Sequence, residues 1–419
     1  MTEKTPRGQV QSHFVKHLAC YIPVVKHHMT TQANNKPQAS CALVLSGGGA
    51  RAAYQVGALR GISSVLGKDH PNPFGIIAGT SAGALNAAGI ATHAHRFRTG
   101  IRMLEYVWRN ISSDQVYRLD SSGLISSASN WVFTFMANRQ RRTPTSLLDN
   151  SPLEELLMGV LRLERIKTNM EAGFLNSLIV TASGYTSGNS ISFFESVKDI
   201  PNWHRPHRLG VRTELRHRHL LASTAIPSLF PAVKIGSEYY GDGAIRQLAP
   251  LSPAIHMGAE RIVAIGVSGT RTRRPGKDEQ ITHPSLSQIL GHILNSAFVD
   301  TLESDMAVLR RYNDLIGQCA GPPEELAVRP IELLEITPSL DLNRIAEDHY
   351  HTLPRSIRLF IRDANSTALA SLLMFEPAYC QEVMDLGVAD AMARREEIKS
   401  FFAHQGALAP RRARSVAAS

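Results

Sequence analysis

Two short apolar runs open the patterned part of this chain. Each is followed at once by a glycine-rich turn and then by small and apolar residues at helical spacing. Cys41-Ala42-Leu43-Val44-Leu45 has the pattern of a buried strand. It meets Ser46-Gly47-Gly48-Gly49, after which Tyr54, Ala58 and Ile62 share one helix face, with Val65 and Leu66 behind them. Phe74, Ile76, Ile77 and Ala78 form a second apolar strand, and Ala84-Leu85-Asn86-Ala87-Ala88 a small-residue helix beyond the turn at 79–83. Strand, turn and helix in immediate succession, twice, predict a parallel α/β sheet.

The grammar loosens afterwards. Residues 96–170 read as helical and amphipathic, with a helix start signalled by Asp149 or Ser151 as cap, Pro152 early, and Glu154 and Glu155 in the first turn. Leu178 to Ala182 is a third strand, with Ile191 to Phe193 as its partner. A helix is expected near Leu215 to Ser223, a strand-to-turn junction in EYYGDGAIRQLAP at 238–250, and a buried strand at Ile262 to Val267. A polar, basic connector begins near 271. Leu286, Ile289, Leu290, Ile293, Leu294 and Ala297 then keep helical spacing through Leu302, Met306 and Leu309, which predicts one long amphipathic helix. Ile331, Leu333 and Ile336 suggest one more strand, and the chain to about 403 is mostly helical. The expected organisation is an N-terminal extension at 1–40, a three-layer α/β/α domain with a central, mainly parallel sheet at 41–270, a mainly helical region at 271–405 and a disordered tail at 406–419.

Composition narrows the classes. The 419 residues are 43% hydrophobic and 19% charged, ordinary for a chain that buries a core. A net charge of +9 suits an anionic partner, either nucleic acid or a membrane surface. No zinc-finger spacing or RNP-type motif accompanies it, so no nucleic-acid partner is expected. Cys20, Cys41, Cys319 and Cys380 are scattered without a CxxC pair, which suggests neither a metal site nor a disulfide framework. A reducing, cytoplasmic setting follows. The best N-terminal apolar stretch, Leu18 to Val25, is broken by Pro23 and is short for an export signal. Nothing later reaches roughly 18 uninterrupted apolar residues, so the expectation is a soluble or peripherally bound protein.

Three short motifs carry the candidate chemistry. Gly79-Thr80-Ser81-Ala82-Gly83 places a serine between an apolar strand and a small-residue helix. Ester cleavage needs a nucleophile raised on a tight strand-to-helix turn, and the flanking Gly79 and Gly83 remove Cβ clashes there. The bland alternative is a close helix–sheet contact that happens to contain serine. Gly47, Gly48, Gly49, Ala50 and Arg51 follow the first strand, and a glycine run at a helix start offers successive N–H groups to an oxyanion. Arg51 suits either support of that loop or contact with substrate phosphate. A dinucleotide-binding turn competes, but Ala52 stands where its last glycine belongs, and the second strand ends in Gly79-Thr80 instead of an acidic residue. In Tyr240-Gly241-Asp242-Gly243-Ala244, Asp242 is a candidate base for a serine hydroxyl, although Asp-Gly is also a common turn.

Taken in order, the motifs resemble the patatin-like phospholipase family. LVLSGGGARAAYQVGAL at 43–59, IIAGTSAGALNA at 76–87, ASTAIPSLFP at 222–231 and YYGDGAIRQLAP at 239–250 carry the resemblance, which covers roughly 41–270. It implies a patatin-like fold and a lipid acyl hydrolase working by a Ser–Asp dyad without an obligatory histidine. Ser81 matches the nucleophile, Asp242 the base, and the 47–51 loop the oxyanion hole. Gly243 and Ala244 complete the family's DGA element. The implied substrate is a phospholipid or another lipid ester, reached through peripheral membrane contact, with no metal or other cofactor. A carboxylesterase, an acyltransferase with the same dyad, and a non-catalytic lipid-binding protein are the alternatives. The family's glycine-rich element usually ends in Gly where this chain has Ala52, which puts a positive φ there in question.

Other features have ordinary readings beside sharper ones. His256 follows Asp242 in the chain order of a Ser–Asp–His triad, yet sits in a helical stretch. His217 and His219, flanking Arg218, read as a solvated basic helix start. Trp131, Phe133, Phe135 and Met136, followed by Arg139, Arg141 and Arg142, fit a lid, a membrane-docking element or plain core packing.

Overall fold

The computed structural model describes residues 40–119, 146–269, 286–318, 329–361 and 367–403. The segment around Trp131 to Arg142, the basic connector and the two chain ends lie outside the described residues.

Ten strands build one sheet: β1 (Cys41–Leu45), β2 (Ile76–Thr80), β3 (Ser177–Gly184), β4 (Ser190–Ser196), β5 (Trp203–Arg205), β6 (Arg208–Arg212), β7 (Val233–Ile235), β8 (Glu238–Asp242), β9 (Arg261–Ile265) and β10 (Glu332–Ile336). The order β10-β9-β1-β2-β3 is parallel throughout. Beyond β3 the sheet is mixed: β4 runs antiparallel to β3, β6 parallel to β4, and β5 antiparallel to β6. The strand expected at Ile331 to Ile336 pairs along its length with β9, so the sheet continues past residue 270. β5, β6 and β7 carry no clear period-two apolar pattern, and nothing in the sequence singled them out.

The side-chain period of two sorts β1 between two cores. Cys41, Leu43 and Leu45 face one, and Ala42 and Val44 the other. The larger core is covered by α1 (Ala53–Leu66), α2 (Ala82–Thr92), α3 (Phe97–Asn110), α4 (Ser151–Val160), α5 (Glu164–Glu171) and α6 (His217–Thr224). On the opposite face lie α7 (Ser252–His256) and, further along, α9 (Thr301–Gln318), which contributes Leu302, Met306 and Leu309. α8 (Leu286–Asn295), between these two in sequence, instead places Leu294 in the larger core. The C-terminal helices are α10 (Leu342–Asp348), α11 (Arg355–Phe360), α12 (Thr367–Leu373), α13 (Pro377–Ala393) and α14 (Arg395–Ala403). α13 lies directly against α1, so close that a Cβ on Gly57 would overlap the Met384 carbonyl.

The long helix expected from 286 is interrupted. A π-helical turn, Ser296–Asp300, separates α8 from α9 and turns Phe298 into the core; such turns recur at functional sites. Asn150 occupies the N-cap position of α4, and the neighbouring Asp149 carboxylate accepts from the Ser151 backbone N–H at 3.0 Å. His219 is not solvated: its ring is buried against Phe193 and accepts from the Arg216 N–H at 2.9 Å, closing the start of α6.

Candidate active site

β3 is longer than β2, and that difference makes the site. Thr80, the last residue of β2, pairs with Thr181 of β3. The next residue of β3, Ala182, pairs with Asp242, where β8 arrives from the opposite direction. The chain therefore leaves the sheet at Ser81, and the register slot it vacates is taken by the aspartate. Ser81 Oγ donates to Asp242 Oδ2 at 2.6 Å across 161 residues of sequence.

Ser81 is held in a conformation rare for a side-chain-bearing residue, φ 54 and ψ −132. The strain is over-determined by its surroundings. Its backbone N–H donates to Ser223 Oγ at 2.9 Å, and that hydroxyl donates to the Thr181 carbonyl at 2.6 Å. Ser223 lies in the ASTAIPSLFP stretch at 222–231, where no local pattern marks it for this role. Gly83 has no room for a side chain, since a Cβ there would overlap the Ser46 carbonyl of the first loop. Gly79 faces Gly83 across the turn. Thr80 Oγ1 donates to Gln247, whose Nε2 donates to Thr181 Oγ1 at 3.2 Å; this ties the loop after Asp242 to the ends of β2 and β3.

Asp242 is fully buried. Its Oδ1 accepts from the Ala244 N–H at 2.9 Å, and Gly243 packs on the Thr181 carbonyl. Burial pushes the carboxyl up to about 7, against the opposing pull of the Ser81 and Ala244 hydrogen bonds. His256 is elsewhere: its ring packs at a tilt against Trp203, centroids 4.2 Å apart, on the opposite face of the sheet, and burial lowers it to about 4.

Gly47, Gly48, Gly49, Ala50 and Arg51 pass beside Ser81 into a short 3-10 turn, Gly49–Ala52. The Gly48 and Gly49 N–H groups donate to no backbone acceptor among the described residues. Gly49 requires glycine twice over: its φ is +54, and a Cβ would collide with the Leu372 carbonyl. Ala52 is αR, with φ −66, so no positive φ is needed at the position where this chain departs from glycine. Arg51 is buried and turned away from Ser81. Its Nε donates to Ser371 Oγ at 2.9 Å, its Nη1 to Asn295 Oδ1 at 2.9 Å and its Nη2 to Asn343 Oδ1 at 2.8 Å. With this loop as the oxyanion hole that its motif implies, a Gly49→Ala variant is expected to lose roughly 100-fold or more in turnover with little change in KM; steady-state kinetics on a soluble ester checks this.

A pocket lined by Ser81 and Gly49 opens beside the turn, with about 770 Å³ of empty space when the solvent at its opening is included. Its walls are almost wholly apolar, drawn from α2, α3, α4 and α12, with Leu85, Trp108, Leu157, Phe230 and Phe375 among them.

A serine on a strained strand-to-helix turn thus opens on an apolar pocket in a layered α/β fold. The patatin-like phospholipase family model matches residues 43–255, and the chain belongs to that family. No curated protein sequence matches significantly. Among solved structures, VipD from Legionella pneumophila is 12% identical, with 92% of this chain and 80% of VipD covered and a TM-score of 0.35. Human GIVD cytosolic phospholipase A2, in complex with methyl gamma-linolenyl fluorophosphonate inhibitor and terbium chloride, is 11% identical, with 96% of this chain covered and a TM-score of 0.43. This chain spans 64% of that structure. The ExoU–SpcU complex of the Pseudomonas aeruginosa type III secretion system matches at 14% identity, 89% of this chain, 79% of that chain and a TM-score of 0.27. Among the described residues no helix is long and apolar enough to cross a membrane.

Proposed function

We propose that this lipid hydrolase cleaves carboxylic esters of phospholipids or lysophospholipids through an acyl-enzyme on Ser81, with Asp242 as the base. The observation that carries the reading is the 2.6 Å hydrogen bond from Ser81 Oγ to the buried Asp242 carboxyl, with Ser81 itself lining an apolar pocket. Asp242 takes the hydroxyl proton as Ser81 attacks the acyl carbonyl, and the oxyanion accepts from the Gly48 and Gly49 N–H groups. The Ser81 N–H is engaged by Ser223, so the glycine loop supplies these donors. Collapse of the intermediate breaks the ester bond, and Asp242 returns the proton to the departing alcohol. Water then attacks the acyl-serine, Asp242 accepts its proton and passes it to Ser81 Oγ as the acyl C–Oγ bond breaks, and the fatty acid leaves. The acyl chain occupies the pocket between α3 and α4.

Peripheral contact with a lipid surface is part of this reading. Leu248, 76% exposed, follows Asp242 by six residues, and Ile293 on α8 is 55% exposed. Apolar anchors of this kind suit a headgroup boundary.

Covalent labelling by a fluorophosphonate tests the mechanism. A base must be ionised to accept the Ser81 proton, so the labelling rate should rise with pH and reach half its maximum near pH 7, where Asp242 ionises. Ser81→Ala should not label. Labelling of that variant, or a rate that falls as pH rises through 7, would count against the dyad.

A further inference from the structure

We propose that Arg51 is a positioning residue: it locks the glycine loop to the C-terminal helices and does not read lipid phosphate. The proposal rests on the dyad reading above and deepens it.

A cation two residues past Gly49 would ordinarily be assigned to the substrate. Its contacts point elsewhere. Arg51 is 2% exposed and is absent from the residues lining the pocket. Its planar fork spreads over three separate elements: Asn295 at the end of α8, Asn343 on α10, and Ser371 with the Ala368 carbonyl on α12, the last at 3.1 Å. A guanidinium holds several acceptors in one fixed geometry, where lysine holds a point. Ser371 Oγ and Asn343 Oδ1 are themselves bonded at 2.9 Å, so the acceptors form one network.

The same C-terminal segment touches the loop at two more points. The Phe298 ring of the π-helical turn packs against Gly47, so that a Cβ there would lie 2.6 Å from it. The Leu372 carbonyl lies against Gly49. Leu372 and Leu373 also line the pocket. α12 thus both bounds the pocket, through Leu372 and Leu373, and holds the arginine, through Ala368 and Ser371. Gripped at Gly47, Gly49 and Arg51, the loop holds Gly48 and Gly49 in fixed place beside Ser81 before substrate arrives. Preorganised donors act on the transition state, so loosening them lowers kcat and leaves KM nearly unchanged.

The experiment compares wild type, Arg51→Lys, Arg51→Met and Asn343→Ala on two substrates with one acyl chain: phosphatidylcholine in mixed micelles and a phosphate-free p-nitrophenyl ester. The expected result is a kcat loss of roughly 100-fold for Arg51→Met on both substrates, a smaller loss for Arg51→Lys, and an unchanged ratio between substrates. Asn343→Ala keeps the cation and removes one acceptor; it should show the same substrate-independent loss in weaker form, and it carries the test where Arg51→Met does not fold. A loss confined to phosphatidylcholine, or a raised KM on it alone, overturns the proposal in favour of phosphate contact. Unchanged kcat per folded enzyme with a lowered Tm overturns it in favour of a purely structural role. Ser81→Ala, assayed beside them, separates the two levels: its full activity on both esters defeats the dyad reading itself, whatever the arginine variants do.

Discussion

Ser81→Ala is expected to lower ester hydrolysis by at least about 10,000-fold, leaving only what the pocket and the glycine-loop amides achieve without a nucleophile. The change removes one oxygen from a buried site and should leave the fold intact. Alanine and serine share the same steric objection to φ 54, and the bonds that hold this turn, Ser81 N–H to Ser223 and Gln247 between Thr80 and Thr181, involve no atom of the Ser81 side chain. A second consequence follows at Asp242. The Ser81 hydrogen bond is one of two that hold its carboxyl down against burial, so the alanine variant should bind the Asp242 proton more tightly than wild type. Fatty-acid release from phospholipid micelles, measured beside circular dichroism of the same samples, checks the first claim. Wild-type release rates from a folded Ser81→Ala protein would falsify the assignment.

Asp242→Asn should abolish activity to a similar depth and at the same time stabilise the protein above pH 7. An amide cannot accept the Ser81 proton, so the nucleophile loses its base. The stability effect has the opposite sign because the wild-type carboxylate is buried. An unfolded aspartate ionises near 4, whereas the folded one keeps its proton up to about 7. Between those values the folded state holds more protons than the unfolded, so wild-type stability falls as pH rises through this window and levels off above it. Raising a carboxyl from its ordinary 3.8 to about 7 corresponds to at most about 4 kcal/mol. The variant, which has no such group to ionise, should melt close to wild type near pH 4 and several degrees above it from pH 7 upward. Thermal melts across that range decide it; curves that stay parallel from pH 4 to pH 8 would mean that ionised Asp242 carries no burial penalty. The two variants together describe a trade-off in which a strained serine and a buried acid lower stability in the service of reactivity.

Much of this arrangement is legible in the chain itself. Apolar runs of five residues ending in glycine-rich turns specify β1, β2 and the helices after them, because burial on both faces of a parallel strand demands an unbroken apolar run, and close helix–strand approach demands small residues. The serine between Gly79 and Gly83 and the aspartate before Gly243 declare themselves for the same reason: tight turns restrict residue type locally. The helix at 217–224 and the strand at 332–336 also follow from pattern alone.

The rest depends on which segments meet. No periodicity states that β8 enters the sheet where β2 ends, yet that pairing alone brings Ser81 to Asp242. Arg51 was equally suited to loop support or phosphate until folding surrounded it with Asn295, Asn343 and Ser371, residues of unremarkable type at distant points in the chain. His219 looked solvated until Phe193 covered it, and the long helix after 286 looked continuous until a π turn directed Phe298 at the glycine loop. Local sequence sets backbone conformation and which faces are apolar, through sterics and hydration acting over a few residues. Partner choice across hundreds of residues is set by how those faces pack together, and only the folded chain expresses it.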